Sequence, residues 1–274
     1  PFIGGGNQDN AFLAYIFGAA TYKDNTFAYN LTNVGAGSGS EIDMNTLTGS
    51  FFIPQSLRIV TVNTEIDTIP EGAFYYAFGL EKVLAHRFTD DEIPDKDSVY
   101  TYRIKTVGKS AFEGCHRIGY DTKADVEYAM PWLSEVETIG EAAFKGYVAN
   151  NDYFTSKMRT LGVLSEIRTI GKEAFAYNNG LGSVVFGNHL QRIEESAFKS
   201  VNLLQQVEIP DSCTYIGDYA FQQCIYLSSV TIGANVEYVG KEAFALSAGL
   251  TEVFFKGALP QTLSEDAFHG LDIY

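Results

Sequence analysis

Basic residues are scarce in this chain of 274. Lys and Arg number 19 against 34 Asp and Glu, for a net charge of −15 at pH 7. A phosphate backbone is repelled by such a field and no Lys/Arg-rich stripe offsets it, which excludes nucleic acid as a partner. The same charge favours solubility and repulsion from anionic membranes. Long apolar runs are also missing. The longest, Ala11–Ala20, is half the roughly 20 residues needed to cross a bilayer, so no membrane insertion is expected. The sequence opens at Pro1 without Met or a signal-peptide pattern, as expected of a mature fragment.

The residues that build catalytic and metal sites are equally thin. His86, His116, His189 and His269 show no His-x-x-x-His or Cys/His spacing, so zinc is unsupported. Gly35–Gly39 is Gly-rich but lacks the Lys-Ser/Thr of a phosphate cradle and reads as a flexible loop. Asp90–Asp97 is acidic, yet lacks the Asp-x-Asp-x-Asp-Gly spacing that wraps calcium; a solvated loop is the plainer reading. No catalytic constellation, metal or cofactor is expected.

What the chain has instead is repetition. Ala-Phe recurs with its Phe at Phe175, Phe198, Phe221, Phe244 and Phe268, at intervals of 23, 23, 23 and 24 residues. The phrase Ile-Gly-x-x-Ala-Phe also marks Phe74, Phe112 and Phe144, at the longer intervals of 38, 32 and 31. Six residues after the regular Phe comes a Leu and then an alternating stretch, as in Leu204–Ile209, Leu227–Ile232 and Leu250–Phe255, which reads as a short half-buried strand. The stretch Leu57–Val62 fits the same alternation and would begin the array. A fixed period in the twenties means units that bury their apolar faces only against neighbours. The expected fold is a repeat solenoid of about eight coils, with short parallel strands stacked coil on coil and loops or short helical turns on the other side. Ala lets coils approach, and the eight phenylalanines stack between layers.

The phrase Ile-Gly-x-x-Ala-Phe-x-x-Cys-x-x-Leu-x-x-Val-x-Ile, nearly entire from Ile216 to Ile232, resembles the BspA-like leucine-rich repeat family of bacterial surface proteins. The resemblance covers roughly residues 51–270, and Tyr15–Gly18 with Phe52–Val60 resembles the lead-in to such arrays. It implies a leucine-rich-repeat solenoid over 51–274 with residues 1–50 as an N-terminal cap. It further implies a secreted or wall-attached protein that binds matrix, cells or polymers, with no catalytic residues to carry over.

Cys115 and Cys224 both stand three residues after a ladder Phe, and Cys213 shares the position of Leu190 and Val236. These are core slots rather than a disulfide or metal set. Candidate recognition residues fall in two places. Insertions near 86–103, 119–135 and 146–157 carry Tyr100, Tyr102, Tyr128, Trp132, Tyr147 and Tyr153; such aromatics either form a contact surface or fold back over the flank. Outward-facing strand residues would line up in two files, Lys82, Thr160, Ser183, Gln206, Ser229 and Glu252, and Leu84, Gly162, Val185, Glu208, Thr231 and Phe254. Such files make a ribbon about 40 Å long. The expected function is non-catalytic recognition of an extracellular protein or glycan; the alternative is a structural stalk.

Overall fold

A computed structural model describes residues 57–62, 66–77, 79–90, 101–119, 130–146 and 157–271, together with the backbone of four short strands outside them. Two of these, Thr21–Lys23 and Thr26–Ala28, pair antiparallel; the remainder of the segment expected to cap the array lies outside the described residues. Among the described residues no helix is long and apolar enough to cross a membrane.

Over the described residues the chain winds as a solenoid of parallel strands with eight rungs. At each rung the Ile-Gly phrase opens with a strand of only two residues: Thr68–Ile69, Thr106–Val107, Thr138–Ile139, Thr169–Ile170, Arg192–Ile193, Tyr215–Ile216, Tyr238–Val239 and Thr262–Leu263. Together they form one parallel sheet of eight. The apolar second residue points inward and is fully buried in the first seven rungs. Glycine follows in five of them because the neighbouring backbone is close. A Cβ on Gly171 would meet the Gly140 carbonyl carbon at 2.7 Å, and one on Gly108 the Glu71 nitrogen at 2.6 Å.

The next turn explains the Ala-Phe pair. The N–H of each ladder Phe donates to the carbonyl of the next coil's Ala, from Phe74 to Ala111 at 2.8 Å through Phe244 to Ala267 at 2.8 Å. Intervening N–H groups, such as those of Tyr75 and Ala77, close turns within their own coil. This alternation requires left-handed backbone two residues either side of Phe. Glu173 and Tyr177, Tyr219 and Gln223, and Glu242 and Leu246 all lie at φ between 50° and 61°. Such residues cost about 1–2 kcal/mol each, which the stacked hydrogen bonds and rings offset.

Those rings form an unbroken column. Centroid separations from Phe74 to Phe268 run between 5.1 and 5.3 Å, with planes within 13° of parallel. Three residues after Phe, Cys115, Asn178, Cys224 and Ser247 each donate to the carbonyl of the preceding ladder Phe, at 3.0, 2.8, 3.2 and 3.0 Å. The cysteine slot is therefore a donor position as well as a packing position.

The longer strands occupy a second face, and here the expected continuous ribbon is corrected. Ile59–Val62 pairs with Lys82–Ala85, Thr160–Leu164 with Ser183–Phe186, and Gln206–Glu208 with Ser229–Ile232 and then Glu252–Phe255, as three separate parallel sheets. The break between the first and second sheets is filled by a 3-10 helix, Pro131–Glu135. Its Trp132 is fully buried, and the indole N–H donates to the Val83 carbonyl at 2.7 Å. The side chain thus takes over a strand carbonyl that lacks a strand neighbour.

Candidate functional site

Several exposed side chains line up on the longer-strand face. The register places Gln206 beside Ser229 and Glu252, and Glu208 beside Thr231 and Phe254. Gln206, Glu208, Glu252 and Phe254 are exposed and Thr231 is half-exposed. Five of the expected contact residues are thereby brought together on three adjacent strands. One position of the files is corrected: the register slips between Thr160 and Val163, so Val163 rather than Gly162 pairs with Val185. The slip puts a second apolar side chain outward. Val163, Val185 and Phe254 are 51%, 49% and 62% exposed. At one edge Lys256 Nζ donates to Glu208 Oε1 at 2.6 Å across two strands.

The insertion aromatics are dispersed. Trp132 is corrected from a contact residue to a core residue: its ring leans on Phe112 at 6.3 Å, and no ligand reaches it without unfolding the helix. Tyr102 is half-buried, with the Arg87 guanidinium 5.5 Å from its ring centre and its N–H bonded to Glu135 at 3.0 Å. That insertion is closed at its base by the antiparallel bridge Phe88–Thr101 and the ion pair Arg103–Asp90. Tyr153 lies in Asp152–Tyr153, which pairs with Val148–Ala149. Tyr100, Tyr128, Tyr147 and Asp91–Asp97 lie outside the described residues.

Interior chemistry is subdued. Burial pushes the Cys224 thiol up to about 12 and Cys213 up to about 11, and raises Cys115 as well, so none supplies a thiolate near neutrality. Burial also lowers the pKa of His116. Its neighbourhood includes a cavity of about 10 Å³ lined by Phe112, Cys115, Lys145, Met158 and Asn178, with room for about one water. Among the described residues no three His, Cys, Asp or Glu side chains gather where a metal could be held.

The sequence reading overlooked one feature. On the two-residue strands the outward column runs through four threonines to Arg192, Tyr215, Tyr238 and Thr262. Tyr215 and Tyr238 stack at 4.8 Å with planes 8° apart. The residue before each phrase Ile, read as a column of the repeat, carries that signal.

A family model described as the BspA type leucine-rich repeat region matches residues 137–273 in 6 copies. No curated protein matches the chain. Similar solved structures include a leucine-rich cell surface protein from Faecalibacterium prausnitzii, with 21% identity and a TM-score of 0.49, covering 73% of this chain and 55% of that one. The leucine-rich repeat protein of T. pallidum has 23% identity and a TM-score of 0.37, covering 74% and 64%. One from Bacteroides ovatus has 19% identity and a TM-score of 0.40, covering 73% and 61%. The chain spans less than two thirds of each of these relatives.

Proposed function

The chain belongs to the BspA-type leucine-rich repeat family, and from that premise we propose that it is a non-catalytic extracellular recognition module for a protein or glycan. The observation that carries this reading is the exposure of Val163 and Val185 on one pair of longer strands and of Phe254 on the next sheet, in one outward column with Glu208 and Thr231 and beside Gln206 and Glu252. Apolar side chains interleaved with polar ones on a strand face suit a contact surface, which combines apolar anchors with polar groups.

Purified protein should be titrated against a panel of extracellular matrix proteins and glycans beside a Val185→Asp, Phe254→Asp double variant. Saturable binding that disappears in the still-folded variant is the expected result. Binding unaffected by the double variant would move recognition to another surface, and a panel without binders would favour the stalk.

A further inference from the structure

On the face of two-residue strands, three planar groups stack across three successive coils. The Arg192 guanidinium lies 3.9 Å from the Tyr215 ring centre and is held there by Glu194, with Nε 2.6 Å from Oε1. Tyr215 stacks on Tyr238, whose hydroxyl donates to Asp218 Oδ1 at 3.3 Å. The stack then stops. The next rung, about 4.8 Å further on, carries Thr262, which is exposed and too short to cover a phenol ring. Among the described residues, then, no ring and no cation lies over the second face of Tyr238.

We propose that the space above Thr262, against Tyr238, is a docking seat for an arginine side chain from an extended partner segment. The protein holds its own template for the complex, since Arg192 occupies the equivalent place at the other end of the same stack. A guanidinium over Tyr238 would gain cation–π attraction and planar stacking together, which an ammonium does not. The surrounding charge agrees. Glu237, beside Tyr238, and Glu265, on the coil of Thr262, are exposed carboxylates without an ion pair among the described residues. The nearby cation Lys241 is 3.8 Å from Glu242. A net charge of −15 draws a basic partner and repels an acidic one. The seat rests on the reading of the chain as a recognition module but lies on a different face from Phe254, so the two can fail separately.

The test is an NMR titration at low salt with a blocked pentapeptide, Gly-Arg-Gly-Arg-Gly, with its lysine counterpart, and with maltohexaose and chitohexaose. The arginine peptide is expected to shift the Tyr238 ring resonances saturably. Tyr238→Ala should weaken it about three- to five-fold. Thr262→Tyr, which fills the seat while keeping Tyr238, should do the same, and Phe254→Ala should leave it unchanged. Melting curves establish that each variant is folded; if Tyr238→Ala is not, Thr262→Tyr decides. Equal binding of the lysine peptide, affinity indifferent to Thr262→Tyr, or a glycan rather than the arginine peptide on Tyr238 would overturn the proposal.

Discussion

The coils marked by Phe74, Phe112 and Phe144 run 38, 32 and 31 residues to the next phrase, while those from Phe175 onward run 23 or 24. Yet the ring column does not register the difference: Phe112 and Phe144 sit 5.1 Å apart, and so do Phe198 and Phe221. The sheet of two-residue strands also passes through both halves without a break. The longer-strand face behaves otherwise. It is continuous over the last three coils only, breaks within the regular half between Ser183–Phe186 and Gln206–Glu208, and is interrupted again in the half with insertions, where Pro131–Glu135 takes the place of a strand. One side of each coil keeps the register and the other accepts variation. The physical reason lies in the bonding: the phrase joins neighbours through strand pairing, alternate N–H groups and stacked rings at once, whereas the longer strands are held by pairing and a Leu–Val core alone.

The hardest test of this view is to remove a ring from each half. Phe144→Ala and Phe221→Ala should each cost about 3–5 kcal/mol, since both are core rings that leave a cavity between coils. Urea denaturation of the two variants checks this. Near-equal losses are expected, and a much smaller loss for Phe144 would mean that the insertions loosen the column after all. A smaller effect is expected at the interruption. Trp132→Phe keeps most of the buried ring but leaves the Val83 carbonyl without its indole donor, which costs about 1–3 kcal/mol. The same measurement decides, and an unchanged midpoint would show that the helix is not pinned by that bond.

The column was legible before any coordinates because seven repetitions of Ala-Phe average out local ambiguity, and the repeat register carried Gln206, Glu208, Thr231, Glu252 and Phe254 to their correct face. It failed at Gly162 and Val163, where a single-residue slip inverts the side that a strand shows. The sheet of two-residue strands was illegible as a strand because two residues cannot display alternation. Its outward column, with Tyr215 and Tyr238, was nonetheless written in the repeat alignment. Trp132 misled for a different reason: a Tyr-rich insertion looks like a contact surface, and nothing local reveals that one aromatic is needed inward to satisfy a carbonyl 49 residues earlier.

The finest contrast between the halves is at the residue after the ladder Phe. In one coil of the regular half Gln222 occupies it, buried, with its amide donating to Glu242 at 2.7 Å. In the other half Glu113 stands there, and burial raises its pKa above the ordinary 4.5, against lowering by Ser110 and Lys145. A carboxyl whose folded pKa is raised binds its proton more tightly in the native state. Its contribution is therefore full below pH about 4.5 and is lost as pH climbs through the folded pKa. Glu113→Gln removes that loss. The variant should melt above the parent protein at pH 7, and the difference should shrink as pH falls below the ordinary carboxylate range. A variant less stable than the parent at pH 7 would show that Ser110 and Lys145 outweigh burial, and that these two coils solve the position with different chemistry rather than with better and worse versions of one.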